Sequence, residues 1–240
     1  MLKIYPSAHL EKGFSLIELA VVLVIIGILI GSFIGTLGSR IDSTRRIETK
    51  AALDDIRTTL YGYAMSQSPV RLPCPDIDND GVEDVTAGQC DVLTTHGNLP
   101  WATLGIARGD AWSSTYSYWV ADKYSNTAGF NLTTDATGDG QIEDGSGNVI
   151  SNNVAVVIFS HGKNQYGSIG LDDSARPAVP AGAAYNDERE NQDTDAVAPV
   201  LFISRPVTDV SAPVIFDDIL AWISEYELKG RMVQAGVLPP

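Results

Sequence analysis

The chain lacks the motifs that usually announce an enzyme. It contains no nucleophile elbow, no histidine-rich metal motif and no phosphate-binding loop. Two of its three histidines, His96 and His161, stand before glycines in turn-like settings, and we predict that they are turn or packing residues. We therefore predict that the protein is not an enzyme.

Basic charge is also scarce, above all in the larger part of the chain. Residues 70–240 carry nine Lys/Arg against 24 Asp/Glu, a net charge of −15, whereas residues 1–69 carry seven against six. Because phosphate groups are neutralised by basic surfaces, this composition excludes bulk nucleic-acid binding by residues 70–240. The acidity favours solubility and cation-binding loops instead.

The first 13 residues lack the apolar core of a secretory signal peptide. They carry three charges, and the apolar run follows them and continues to Leu37. Cleavage after Gly13 would leave this run on the mature chain, with Phe14 as its new N-terminus. Glu18 lies inside the run, where an unpartnered charge costs roughly 2.5–3.5 kcal/mol on insertion scales. We therefore expect the Glu18 carboxylate to have a partner.

The order glycine, phenylalanine, glutamate and a long apolar run resembles the class III signal of type IV pilins and type II secretion pseudopilins. The resemblance implies that a prepilin peptidase cuts after Gly13 and methylates the amine of Phe14. It also implies that Glu18 pairs with the Phe14 amine of a neighbouring subunit and sets the register of a filament. The alternative is an ordinary single-pass anchor that carries Glu18 by chance.

The resemblance and the residue pattern together predict an α+β fold, the pilin fold. A long N-terminal spine helix, half of it transmembrane, packs on an antiparallel β-sheet head. The apolar run is long enough for a bilayer, and apolar residues at helical spacing extend the helix to about Met65, before Pro69. The predicted segments are a leader (1–13), a transmembrane or filament-core helix (14–37), an amphipathic half-helix (38–66) and a β-rich head (67–240).

Within the head, β-branched and aromatic runs predict strands, and a capping box predicts a final helix. The predicted strands are 116–121, 153–160, 200–204 and 216–223, and the predicted helix runs from Ser224 to about Ala235.

Two further stretches resemble pseudopilins more weakly. Residues 110–118 look like an Asp-x-Trp-Gly-x-x-Tyr-x-Tyr turn, with Ser113 where glycine is usual, and residues 157–162 are similar to the strand and turn that follow it. Residues 71–101 are not part of the simplest pilin pattern. We therefore predict a minor-pilin or pseudopilin-like subfamily.

The two cysteines, Cys74 and Cys90, lie beyond the apolar run. In an oxidising periplasm they are expected to pair, in a bond that contributes roughly 3 kcal/mol in the chain-entropy model. The alternative is two buried free thiols.

Two acidic stretches are candidate structural Ca²⁺ loops, because carboxylate and amide oxygens are the ligands that Ca²⁺ prefers. The first has carboxylates at alternate positions before a glycine, but Ala87 stands where a full EF-hand loop has glutamate. The second follows the late strands, roughly where type II secretion pseudopilins bind calcium. The candidate ligands are Asp76, Asp78, Asp80 and Asp84 in the first stretch, and Asp187, Asn191, Asp193 and Asp195 in the second.

Three functions remain open. The leading one is a structural subunit of a type IV pilus (fimbrium) or type II secretion pseudopilus. Its expected partners are other pilin subunits, the prepilin peptidase, the assembly platform and the inner membrane. The subunit would start as a single-pass protein of the bacterial inner membrane and end in a periplasmic pseudopilus or an extracellular pilus. The alternatives are a minor pilin whose head acts as a tip adhesin or binds substrate or DNA, and an anchored periplasmic binding domain that never polymerises.

Overall fold

A computed structural model describes residues 15–90, 96–137, 139–193, 199–208 and 213–239, without the side chains of residues 32–37. Gly13, Phe14 and Asp195 therefore lie outside the described residues. The chain divides after Thr44 into two compact units.

The first helix, α1, begins at Leu16 and ends at Ser66. This confirms a long N-terminal helix, and its end falls one residue from the predicted Met65. Pro69 follows closely, and a proline cannot continue a helix because it lacks the backbone N–H.

All other helices and strands of the described residues are short. The helices are α2 (Trp101–Leu104), α3 (Asp122–Ser125), a 3₁₀ turn (Ala183–Tyr185), α4 (Asn186–Asn191) and α5 (Glu225–Gln234). The strands are β1 (Val85–Thr86), β2 (Gln89–Cys90), β3 (His96–Asn98), β4 (Ser117–Val120), β5 (Gly140–Glu143), β6 (Val149–Ser151), β7 (Val154–Ser160), β8 (Val200–Ile203) and β9 (Ile219–Ser224).

The central sheet is antiparallel and has the strand order β3-β4-β7-β9. Strand β7 is buried at all seven positions, as expected for a short continuous apolar run. A second sheet has the order β6-β5-β8, and there β5 and β8 run parallel, with Gly140 opposite Val200. The predicted α+β fold with an antiparallel sheet is confirmed, and this parallel pair is an addition to it. A long connection containing β6, β7 and α4 makes the parallel pairing feasible.

The later part of α1 supplies one wall of the hydrophobic core. Leu53, Ile56, Leu60 and Ala64 are at most 4% exposed and belong to the same buried cluster as the apolar residues of β7. Their spacing of three and four residues places them on one face of the helix. Burying each of the larger side chains contributes about 1.5–3 kcal/mol.

The last strand of the central sheet begins later than predicted. Strand β9 begins at Ile219, three residues later than predicted, so Asp217 and Asp218 precede it.

The predicted cap of α5 is present, because Ser224 Oγ accepts the N–H of Glu227 at 3.3 Å. The Glu227 carboxylate, however, accepts hydrogen bonds from Arg57 of α1 at 3.0 Å. This ion pair joins α5 to α1.

The two stretches with weaker pseudopilin resemblance meet through Asp110. One of its carboxylate oxygens accepts the backbone N–H groups of Trp112 and Ser114, both at 2.9 Å, and the other accepts Ser160 Oγ at 2.5 Å. Ser113 has φ = 66°, in the left-handed region that favours glycine. This backbone conformation gives a physical reason for a glycine at that position.

Candidate functional site

Glu18 lies in the first turn of α1 and caps the helix. Its Oε2 accepts the N–H of Ser15 at 2.8 Å, and Ser15 Oγ accepts the N–H of Glu18 at 3.2 Å. This reciprocal pair is a capping box, which satisfies two backbone donors at the helix start. The Ser-x-x-Glu spacing signals this box, which was not predicted, since Glu18 was expected either to pair with a neighbouring subunit or to be present by chance.

Every large apolar side chain of α1 from Leu16 to Ile30 is exposed in the single chain. The exposed fractions run from 44% at Ile26 to 89% at Leu16. Soluble monomers rarely expose continuous apolar surfaces beyond a few hundred Å². This part of α1 therefore presents a surface that fits lipid or other protein chains.

Among the described residues, no helix combines the length and apolarity that a membrane crossing requires. The predicted transmembrane half of the spine helix, over 14–37, is thus not found there. That range includes Phe14 and the side chains of residues 32–37, which lie outside the description.

A disulfide joins Cys74 to Cys90, with 5.2 Å between the Cα atoms. Glu83 fixes the loop between them, since its carboxylate accepts two bonds from Arg71 at 2.7 Å and one from the Cys74 N–H at 3.0 Å. The hydroxyl of Tyr63 on α1 donates a further bond to it at 2.6 Å. Burial raises the pKa of Glu83, but these hydrogen bonds outweigh it, so its net direction is downward.

The first acidic stretch lies inside the disulfide loop and is shaped by its own hydrogen bonds. Asp76, Asp78 and Asp84 bring one carboxylate oxygen each to within 4.8 Å of the others, and Asp80 is not part of this group. Asp76 accepts two backbone N–H groups at 2.8 and 2.9 Å, and the other three carboxylates accept one each at 2.6–3.1 Å. Burial raises the pKa of Asp76 to about 6. Calcium binding by this loop stays a prediction.

The first part of the second acidic stretch, up to Asn191, belongs to the helix α4, and its candidate ligands contact different residues. Asp187 pairs with Arg205. Asn191, which is fully buried, hydrogen-bonds both backbone groups of Ile203. Asp193 follows the end of α4. Asp195 lies outside the described residues, and calcium binding by this stretch stays a prediction.

A different acidic cluster, which the sequence interpretation missed, is buried in the head. Glu188 of α4 and the adjacent Asp217 and Asp218 before β9 bring one carboxylate oxygen each to within 4.8 Å of one another. Glu188 is fully buried, and Asp218 is 3% exposed. A sequence signal existed, because two adjacent aspartates interrupt an apolar run, but it was interpreted as the alternation of a strand.

Each carboxylate of this cluster has one oxygen held by N–H donors. Glu188 Oε1 accepts Asn164 Nδ2 at 2.7 Å and the N–H of Asp217 at 2.9 Å. Asp217 Oδ2 accepts the N–H of Asn164 at 2.8 Å, and Asp218 Oδ2 accepts Asn191 Nδ2 at 2.8 Å. The second oxygens are Glu188 Oε2, Asp217 Oδ1 and Asp218 Oδ1. Within the described part of the chain, none of them accepts a hydrogen bond from an N–H or O–H group.

The electrostatics of the cluster favour uptake of positive charge. Burial raises the pKa of Glu188, and the charge of Asp217 raises it further. Burial likewise raises the pKa values of Asp217 and Asp218. Arg46 of α1 acts in the opposite direction, on Asp217. Three carboxylates that oppose one another's ionisation need a proton or a cation between them.

A buried serine–histidine contact is another polar feature of the core. His161 Nε2 lies 2.7 Å from Ser117 Oγ, and these residues are 1% and 9% exposed. Burial lowers the pKa of His161 to about 3, so the imidazole is neutral. With so little access for a substrate, the contact fits the predicted packing role of His161.

Comparison with known proteins adds one finding. Residues 9–34 match the family model of the prokaryotic N-terminal methylation motif. This segment, which contains Gly13, Phe14 and Glu18, is the class III prepilin signal of type IV pilins and pseudopilins. The motif supports a pilin-like or pseudopilin-like subunit processed by prepilin peptidase, and the α+β arrangement is consistent with the pilin fold. Searches of curated proteins and of solved structures returned no match.

Proposed function

We propose that this protein is a structural subunit of a type IV pilus or a type II secretion pseudopilus and polymerises through its N-terminal helix. The observation that carries the proposal is the exposed apolar surface of residues 16–30, directly within the matched signal. Packed copies of this helix would bury that surface, and burial contributes roughly 25 cal/mol for each Å² removed from water.

The proposed route begins with a precursor anchored at the inner membrane by its N-terminal segment. The prepilin peptidase cuts after Gly13 and methylates the amine of Phe14. The assembly platform then adds the subunit to a periplasmic pseudopilus or an extracellular pilus. There the Glu18 carboxylate pairs with the Phe14 amine of a neighbour, a contact between opposite charges that is strong where water is excluded.

The charge of Glu18 can be tested separately from its capping role. Glutamine can accept the same capping hydrogen bond as glutamate, so Glu18→Gln removes the charge and keeps the cap. Glu18→Ala removes both. We expect both variants to lose filament incorporation, measured as the sheared or crosslinked polymer fraction, because the pairing needs the charge.

Glu48→Ala is the matched control, since Glu48 is an exposed carboxylate on the same helix outside the matched segment. It should assemble normally. If Glu18→Gln assembled normally and Glu18→Ala did not, the role of Glu18 would be limited to capping the helix. Absence of any polymer from the unaltered chain would favour a non-polymerising anchored domain.

A further inference from the structure

A short turn on the surface of the head contains the sequence asparagine, leucine, threonine. Of all the asparagines in the chain, only Asn131 is followed two residues later by serine or threonine, at Thr133. This Asn-x-Ser/Thr spacing is the acceptor signal for N-linked glycosylation of exported proteins, provided that x is not proline. Because a three-residue pattern arises easily by chance, the structure of the turn has to decide whether it can react.

The turn is held at both ends and exposed at its tip. Before it, Phe130 is 4% exposed and packs on Tyr124, with 4.9 Å between the ring centroids. After it, the carbonyl oxygen of Thr134 accepts hydrogen bonds from the hydroxyl of Tyr124 at 3.3 Å and from the ammonium group of Lys229. Residues 131–133 are exposed between these anchors. A large enzyme can therefore reach the tip of the turn while the head stays folded.

The side chain of Asn131 is oriented by donors that all point at its oxygen. Oδ1 accepts the hydroxyl of Thr133 at 2.7 Å, the N–H of Thr133 at 2.8 Å and the N–H of Thr134 at 3.1 Å. Within the described part of the chain, the hydrogen bonds of this side chain all go to Oδ1. The nitrogen Nδ2 is therefore available to an external partner.

This arrangement prepares the amide of Asn131 to lose a proton. When Nδ2 is deprotonated, amide resonance moves negative charge onto Oδ1. Donors placed where charge develops stabilise it, as in an oxyanion hole, and hydrogen bonds to a charged form favour that form. The hydroxyl of Thr133 makes the shortest of the three bonds, which gives a physical reason for serine or threonine at this position.

We propose that Asn131 is a site of N-linked glycosylation, with an oligosaccharide carried on a polyprenyl diphosphate as the donor. Nδ2 forms a bond to C1 of the first sugar, while the bond between C1 and the diphosphate oxygen breaks. The polyprenyl diphosphate leaves with the bonding electron pair, and the proton of Nδ2 passes to a base of the transferase. The step changes no oxidation state. It rests on the proposed function only in that the head is exported across the membrane that carries the donor.

A neighbouring asparagine provides an internal control. Oδ1 of Asn126 accepts the N–H of Ala128 at 2.7 Å, in a turn of the same kind. Ala128 has no hydroxyl, so among the described residues the oxygen of Asn126 has one donor where that of Asn131 has three. We therefore expect Asn126 to stay unmodified.

The test uses the full chain purified from the cells that produce it naturally. Trypsin releases residues 124–163 as one peptide that contains both asparagines, because no lysine or arginine lies between Lys123 and Lys163. Fragmentation in a mass spectrometer should produce sugar oxonium ions and place the added mass on Asn131. The proposal is overturned if Asn131 carries no sugar, or if the added mass lies on a threonine of the turn, which would be an O-linked transfer.

Two substitutions of Thr133 test the part that its hydroxyl plays. Thr133→Val keeps the size of the side chain and removes the hydroxyl, whereas Thr133→Ser keeps the hydroxyl. Loss of one oxyanion-hole donor costs roughly 10²–10³-fold in rate, so Thr133→Val should lose the sugar and Thr133→Ser should keep it. Unchanged near-ultraviolet circular dichroism of both variants would exclude a damaged fold as the cause.

Asn131→Gln should remove the added mass, and Asn126→Gln, the matched control, should retain it. Retention of the sugar by Thr133→Val or by Asn131→Gln would overturn the proposal. Filament incorporation of Glu18→Gln and sugar attachment at Asn131 are measured separately, so either proposal can fail without the other.

Discussion

Leu23 and Leu60 are the same residue type on the same helix, yet Leu23 is 61% exposed and Leu60 is fully buried. The later stretch of α1 contributes to the core of the head, whereas every large apolar side chain from Leu16 to Ile30 is exposed. This difference indicates that the stretch from Leu16 to Ile30 is suited to contact lipid or other protein chains.

The two acidic clusters of the head make a second comparison. The disulfide loop is dense in aspartate, but its carboxylates accept backbone N–H groups of their own turn. The buried cluster has fewer neighbours in sequence, and each of its carboxylates has one oxygen without a hydrogen-bond partner among the residues that the structure describes. The density of acidic residues along the chain is therefore a poor guide to which carboxylate oxygens lack a partner, because local turns use the same oxygens.

The largest expected effect concerns processing. Gly13→Val should leave an uncut precursor, because the peptidase site implied by the matched motif would no longer contain glycine. N-terminal sequencing and a mobility shift measure the outcome, with Gly38→Val in α1 as a control that should still be cut. A mature chain beginning at Phe14 in the Gly13 variant would contradict the assigned cleavage site.

A matched pair of leucine substitutions tests the contrast within α1. Leu60→Ala should lower the free energy of unfolding by about 2–5 kcal/mol, because it opens a cavity in the core. Leu23→Ala should leave the unfolding of the head unchanged and reduce assembly instead. Tryptophan fluorescence in denaturant reports on the head, since all four tryptophans follow residue 100. Equal destabilisation by the two substitutions would contradict the expected difference between the two stretches of α1.

His161 makes the head sensitive to acid. Burial and the nearby charge of His96 lower its pKa from 6.5 to about 3. Between these values the unfolded chain binds more protons than the folded one, so the free energy of unfolding falls as pH falls below about 6.5. The loss from this group should reach about 2 kcal/mol between about pH 7 and pH 5.

Denaturation of His161→Gln across that pH range measures this contribution. The variant should show a shallower pH dependence, whereas His9→Gln, in the leader of the unprocessed precursor, should match the unaltered chain. Identical slopes for the three proteins would mean that His161 is not held neutral by burial.

The smallest expected effect is a gain in stability. Ser113→Gly should raise the free energy of unfolding by about 0.5–1 kcal/mol, because glycine adopts the left-handed backbone at φ = 66° without the strain of a side chain. Ser151→Gly in the strand β6 is the control and should destabilise the head. A loss of stability at Ser113 would show that its side chain contributes more than its backbone strain costs.

Much of the fold could be predicted from local pattern. Helical spacing identified α1 nearly to its end, and continuous β-branched and aromatic runs located β4, β7 and β8. The strands β1, β2, β3, β5 and β6 could not be found, because each contains at most two β-branched or aromatic residues in succession. The parallel pairing of β5 with β8 depends on a long crossover that no local pattern reports.

The N-terminal motif and the buried carboxylate cluster differ likewise in how far they could be predicted from local sequence. Gly13, Phe14 and Glu18 lie within six residues, so their spacing alone carries the motif, and the family match covers them. Glu188 and Asp217 are 29 residues apart and meet only because α4 and the start of β9 converge on the turn after β7.

By itself, the sequence determined the prepilin signal, the long helix and the acidic character of the head, because each depends on neighbours along the chain. The tertiary structure decided the burial of the Glu188 and Asp218 carboxylates and left one oxygen of each without a hydrogen-bond partner among the described residues. It also decided that Leu60 is buried whereas Leu23, on the same helix, is exposed. Those properties depend on segments brought together by the collapse of the core, where burial changes the free energy of a charge far more than its neighbours in sequence do.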